Sequence, residues 1–342
     1  MDIIVKSALE NLFISFIFAF AFAPIMIGIL YRFNQVAAHK KTKLGGGIKG
    51  DNSLYLKIMN VSGKNGIPNM GGILIWVVVP ILVFLLVDRT PDISLFILSF
   101  ILFGFWGFLD VLFTNMIKNN PELRTIQEKF IVRLTRFSIA MVLNIFIMYL
   151  LQLTGIVPDI SLGNWAIAFT PALIPVLGIL GQLAIYAAEL TDGLDGLMIG
   201  IFGISYTALG AVLLINNQPK YIPVIAIIIG VVVVDLYFNT PPARFYNGGP
   251  GAMPLGASAF YIAIATDQVI PYFLITGLTW IILLSSMIQI ISMRFFKRRV
   301  FKMAPLHHHF QVLGWPEHKV TMRFWVITIF LSIAGIYLSV LH

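Results

Sequence analysis

The chain has 342 residues, 58% of them hydrophobic and only 11% charged, with 23 Lys and Arg against 15 Asp and Glu. A water-soluble domain carries roughly 25% charged residues, so the composition excludes an ordinary soluble protein and points to lipid as the main solvent. There is no cysteine, hence no disulfide framework and no thiolate chemistry. The net charge of +8 reads as loop asymmetry across a bilayer, with no nucleic-acid partner implied.

Apolar runs long enough to cross about 30 Å of hydrocarbon fall near 11–32, 70–87, 94–116, 131–152, 165–187, 196–216, 221–238, 251–266, 270–293 and 322–341. The first is too long for the apolar part of a cleaved signal and lacks a small-residue cleavage site, so it reads as a retained span. The eighth is short and holds Gly and Pro. Residues 1–342 therefore read as one all-α integral membrane domain of about ten transmembrane helices, without tandem repeats or low-complexity tracts. Loops at about 34–69, 117–130, 188–195, 239–250 and 295–320, with the span ends beside them, hold 20 of the 23 Lys and Arg; the opposite side holds only Lys6, Arg89 and Lys220. Positive charge stays cytoplasmic, which places both termini outside and a polar cleft at the cytoplasmic face.

Acidic residues in or beside spans are expensive and default to functional candidates. Asp110 sits late in the third span, and Glu189, Asp192 and Asp195 follow the fifth in AAELTDGLDGL. On a helix, three-residue steps put these carboxylates on neighbouring positions, where they could hold a hard cation such as Mg²⁺ together with substrate phosphates. The alternative is that they cap helix ends and face water. Asp235, one turn before Asn239 in VVVVDLYFN, needs a partner or a watery cavity. His307, His308 and His309 are adjacent, so they cannot all ligate one metal from a regular helix; beside many cations they would meet phosphate or polarise a leaving group, unless they form a plain surface loop. Two Gly-rich stretches, Gly66 to Gly72 and NGGPGAMPLGA at 247–257, open helices and could present N–H groups to phosphate. Glycine equally serves close packing of membrane helices.

Taken in order, GIPNMGG, GFLD, LTDGLDGL, FNTPPARFYNGGPGAMPLG and MAPLHHHFQVLGWPEHKVTMRFW resemble the phospho-N-acetylmuramoyl-pentapeptide transferases of the polyprenyl-phosphate N-acetylhexosamine 1-phosphate transferase superfamily, from about Lys64 to the C-terminus. The resemblance implies a multi-pass protein of the bacterial cytoplasmic membrane. It would pass phospho-MurNAc-pentapeptide from UDP-MurNAc-pentapeptide to undecaprenyl phosphate, giving lipid I and UMP in peptidoglycan biosynthesis, with Mg²⁺ and in a possible homodimer. It gives catalytic roles to Asp110, Asp192 and His308, and substrate contacts to Lys64, Lys129, Asp195, Asn239, His307 and His309. It places the metal on Asp192; Glu189, at a position where this chain differs from the family, is a further candidate ligand.

The chain also departs from the family pattern. Val111 stands for the second Asp of an Asp-Asp pair, Thr114 for a Lys, Glu189 for an Asn, Gly249 for a metal-ligating Asp and Gln311 for a Glu, while Tyr186 departs one turn before Glu189. Two explanations follow: a divergent transferase whose cation site is rebuilt on Glu189 and Asp235, or a weak or inactive relative that keeps the scaffold to bind lipid phosphate, nucleotide or a cell-wall partner. A transporter or flippase is a third class, but no inverted repeat is visible. The charge asymmetry makes a direct prediction: alkaline phosphatase fused to the C-terminus is active in bacterial cells, and green fluorescent protein fused there is dark.

Overall fold

The computed structural model describes residues 2–32, 67–119, 130–155, 159–162 and 165–341; Lys64 and Lys129 lie outside them. The described residues fold into helices α1 (Asp2–Arg32), α2 (Ile73–Leu86), α3 (Pro91–Asn119) and α4 (Phe130–Leu153), a short hairpin of β1 (Ile160–Leu162) and β2 (Trp165–Ile167), then α5 (Ile174–Thr191), α6 (Leu197–Ile215), α7 (Ile222–Asn239), α8 (Gly249–Ala265), α9 (Val269–Ile275), α10 (Gly277–Phe295), α11 (Leu306–Val312) and α12 (Glu317–Val340). Among the described residues, eight helices are long and apolar enough to cross a membrane: α1, α3, α4, α5, α6, α7, α10 and α12.

Three expected spans differ in detail. The fifth begins at Pro171 rather than 165, because the residues before it pair as an antiparallel hairpin with Ile160 opposite Ile167 and Leu162 opposite Trp165. An apolar run cannot by itself distinguish such a strand from the start of a helix. The second span, α2, has 14 residues, about 21 Å of rise, short of the hydrocarbon thickness. The ninth is broken into α9 and α10 at Thr276, whose hydroxyl donates to the Tyr272 carbonyl at 2.8 Å and accepts from Trp280 Nε1 at 3.1 Å.

Helix α8 is the hub. It packs against α2, α3, α5 and α9, and every residue from Gly249 to Ile264 is buried. A helix apolar on all sides belongs inside a bundle, which accounts for a 17-residue segment rich in Gly, Ala and Pro at a position where a full span was expected. Outside this group α1 lies on α7 and α2, α7 on α6, and α6 on α12, which in turn covers α9 and α10.

At the sparsely charged end of the bundle, one ion pair staples three elements. Asp92, 1% exposed at the start of α3, accepts from Lys220 Nζ at 2.7 Å and from Tyr221 Oη at 2.8 Å on the turn that enters α7. The Tyr261 hydroxyl of α8 donates to the Asp92 carbonyl at 2.8 Å. Removing the Asp92 carboxylate leaves the buried Tyr221 hydroxyl without its acceptor, at a cost of about 1–3 kcal/mol. Asp92→Ala should therefore lower the melting temperature of the detergent-solubilised protein well beyond the exposed-pair control Lys6→Ala, whose partner is Glu10 at 3.9 Å.

Candidate active site

The turn after α5 is built almost entirely from hydrogen bonds to main chain. Thr191 Oγ1 donates to the Ala187 carbonyl at 2.7 Å, and Gly196 takes φ +70°, a left-handed conformation suited to glycine. Asn239 at the end of α7 accepts from Gly196 N at 2.8 Å and donates to the Phe245 carbonyl at 2.6 Å. From α12, Glu317 Oε1 accepts from Asp195 N at 2.7 Å, and Thr321 Oγ1 donates to the Asp195 carbonyl at 3.3 Å. Asn239 is 2% exposed with both ends of its amide on backbone, and Asp195 is also buried. Asn239 therefore positions the Asp192–Gly196 turn.

Short helix α11 brings the histidines to the same turn, with the rings of His307 and His308 in edge contact 4.3 Å apart and His309 on separate partners. His307 is buried with its ring against Gly193, so closely that a Cβ there would collide with Nε2. His308 Nδ1 shares a 2.7 Å hydrogen bond with Gln311 Oε1. His309 Nδ1 accepts from Lys302 N at 3.1 Å, with its ring edge-on to Phe301. His309 is engaged by Lys302 N and Phe301 while His307 and His308 stay together, so the three rings do not gather on one ion.

The two Gly-rich stretches are partners of each other, not phosphate cradles. Gly71 N donates to the Tyr246 carbonyl at 2.8 Å, Gly72 N to the Asn247 carbonyl at 3.1 Å, and Tyr246 N to the Pro68 carbonyl at 2.8 Å. A Cβ on Gly72 would run into the Gly251 backbone. These amides are already bonded to carbonyls, and the anion at the start of α8 is internal: Asp192 Oδ2 accepts from Gly248 N at 2.7 Å. The Tyr246 hydroxyl has its pKa pushed up by burial and then by Asp195, Glu317 and Asp192, which keeps it a donor at neutral pH.

Asp110 comes to the site already paired. Arg136 on α4 binds its carboxylate through Nε and Nη2, and Nη2 also donates to the Asp110 carbonyl at 3.2 Å and to Thr114 Oγ1 at 3.0 Å. Beside Arg136, Phe137 packs edge-on to Tyr186. Glu189 lies within electrostatic reach of Asp110, Arg136 and Asp192. Arg136 counts in the sequence only as one of many cations on the basic side; an arginine inside an apolar run was the available signal that it needs a partner. Asp235 finds its partner in Asn247, whose Nδ2 donates to Oδ1 at 2.9 Å, and both residues are wholly buried.

Position 249 has no room for a side chain. A Cβ there would lie 2.7 Å from the Gly107 carbonyl oxygen and 2.8 Å from its Cα, and one on Gly107 would collide with Gly249 in turn. Among the described residues no three Asp, Glu or His side chains are grouped to hold a metal ion. The residues present thus do not fit a Mg²⁺ ion bound as the resemblance implies, through a carboxylate at position 249 together with Asp192. Restoring the missing carboxylate with Gly249→Asp should cost about 1–3 kcal/mol through overpacking, seen as a lowered melting temperature without any gain of metal affinity.

Comparison with known proteins supplies the family. Residues 93–267 match the model of glycosyl transferase family 4. The chain is 36% identical to a phospho-N-acetylmuramoyl-pentapeptide-transferase of Desulforapulum autotrophicum over 80% of each chain. It is 32% identical to the protein of that name from Caldicellulosiruptor bescii, over 81% of this chain and 85% of the relative. The likeness to the Bacillus cytotoxicus protein of the same name is 30% and covers 96% of both. With likeness of this extent, this multi-pass chain belongs to the phospho-N-acetylmuramoyl-pentapeptide transferases of glycosyl transferase family 4.

Proposed function

We propose that the chain transfers phospho-N-acetylmuramoyl-pentapeptide from UDP-MurNAc-pentapeptide to undecaprenyl phosphate at the cytoplasmic face of a bacterial membrane. An oxygen of the lipid phosphate attacks the phosphorus that carries the sugar. The bond to the UMP phosphate breaks, and UMP leaves with the electron pair, so lipid I and UMP are the products. The observation that carries this reading is the junction of two distant motifs: the Asp192–Gly196 turn meets α11 at Gly193 and His307, and α12 at Glu317 and Thr321. Near-full-length likeness to proteins named for this transfer supports the same conclusion.

Within this reading the main task of the protein is to bring phosphates together against their own repulsion, which calls for fixed positive charge in a water-poor site. Arg136 supplies one such charge, and by the family match Lys64 and Lys129 supply others. Asp110, fixed by Arg136, orients the attacking lipid phosphate. His308 faces the departing phosphate, and Asp192 and Asp195 shape the nucleotide pocket.

A second reading, binding of nucleotide or lipid phosphate without turnover, is favoured by the clash at Gly249 and by the closed Asp110–Arg136 pair. Lipid I formation by the purified protein decides between them. The transfer reading expects turnover that falls by about 100-fold or more in Asp192→Ala, the scale of losing one group that acts in the transition state. Absence of lipid I, with UDP-MurNAc-pentapeptide still bound, establishes the second reading.

A further inference from the structure

Three departures from the family pattern, Val111, Thr114 and Gly249, read as losses when taken one at a time. In space they belong to one rearrangement. Val111 and Gly249 each remove a carboxylate, and the methyl of Val111 lies against the turn beside position 249: a Cβ on Gly248 would sit 3.4 Å from Val111 Cγ2. Thr114 removes a cation from α3, and the hydroxyl left in its place accepts from Arg136 at 3.0 Å. A lysine at 114 would instead repel that guanidinium. In this chain the positive charge beside Asp110 comes from α4, where Arg136 is turned onto its carboxylate.

Two of the carboxylates that remain, Asp110 and Asp192, are partnered from within the protein. Arg136 makes two contacts to Asp110 Oδ1 and a third to its carbonyl. Asp192 holds the first amide of the turn into α8. Mg²⁺ is a hard ion that demands near-octahedral oxygen ligands at short range and loses its waters reluctantly. A guanidinium offers no oxygen, and it occupies the side of Asp110 that faces α4.

From this arrangement we infer that the chain does not use a divalent cation at this site: Arg136 and the amide at the start of α8 stand in its place, as partners of Asp110 and Asp192. The inference rests on the proposed reading for the identity of the ligand, a nucleotide phosphate, but metal occupancy is measured without turnover.

The test uses full-length protein in detergent, stripped with chelator and titrated with Mn²⁺ as the paramagnetic probe of a Mg²⁺ site. Electron paramagnetic resonance should show no stoichiometric bound Mn²⁺ in the wild type up to the millimolar range. Arg136→Gln exposes the Asp110 carboxylate and should raise Mn²⁺ affinity by roughly tenfold or more, the effect expected of removing a like charge beside a ligand. One Mn²⁺ bound by the wild type and lost in Asp192→Asn overturns the inference. A second measurement does not depend on the folding of Arg136→Gln: UMP binding to the wild type should be the same within about twofold in excess chelator and in excess Mg²⁺. Binding that chelator abolishes and Mg²⁺ restores also overturns it. If UMP binds under neither condition, the proposed function fails, while the Mn²⁺ titration still decides the metal question.

Discussion

The closest constraint in this protein is the absence of side chains around the start of α8. Gly249 meets the Gly107 backbone on α3, Gly251 meets Gly72 at the entry to α2, and a Cβ on Gly256 would lie 2.9 Å from the Ala188 Cβ and 3.0 Å from the Ala184 carbonyl on α5. In lipid there is no hydrophobic drive between helices, so association depends on close van der Waals approach and on hydrogen bonds. Three neighbours approach one short helix at glycine, and each fixes the others. The main-chain ladder between 68–72 and 246–247 exists only because those backbones come so near. Asp192 reaches the amide of Gly248 because the turn before α8 is fixed there.

This packing changes the meaning of the polar residues. Buried amides and carboxylates must be hydrogen-bonded, and here most of their bonds go to backbone. Asn239 bridges Gly196 and Phe245, Glu317 holds Asp195 N, and Asn247 both accepts from Gly72 through its main chain and donates to Asp235 through its side chain. Residues that look like ligand contacts in a motif can hold the shape of a loop, and a family pattern alone does not separate these roles. Asn239 and Glu317 do the holding, whereas Arg136, half-buried, directs its charge onto Asp110.

Much of the fold was legible in the sequence because a bilayer imposes a simple rule: the backbone must satisfy itself, so long apolar runs become helices. Six of the eight long helices follow from their apolar runs alone. The exceptions have identifiable physical causes. The hairpin at 160–167 has an apolar composition that length counting assigns to the next helix. The break at Thr276 depends on a hydroxyl that bonds both the preceding turn and Trp280, a local detail invisible to hydropathy. At the site, the motif residues could be named, but the direction of their bonds could not. The Gly-rich segments suggested phosphate binding because glycine spacing is the same whether an amide faces an anion or another strand of backbone; only the pairing of 71 and 72 with 246 and 247 distinguishes them. Arg136 was lost among twenty cations on one side because counting charge for topology takes no account of which helix face a cation occupies.

The departures from the family pattern also become coherent at this level. A carboxylate at 249 and a glycine at 107 in its present contact are mutually exclusive, since one needs the volume that the other's backbone fills. Arg136 and Thr114 support each other by a hydrogen bond that a lysine at 114 could not accept. Coupled positions of this kind do not revert singly: each ancestral-type residue, put back alone, meets a neighbour arranged for its absence. The site is therefore better described as a different solution to charge balance on an inherited scaffold than as the same site with pieces missing. Whether that solution still moves a phosphoryl group depends on whether a fixed guanidinium can follow the charge that develops in transfer. Arg136 is well placed for that in one respect, since Asp110 and Thr114 orient it before any substrate arrives, and an oriented charge needs no reorganisation when the reaction occurs.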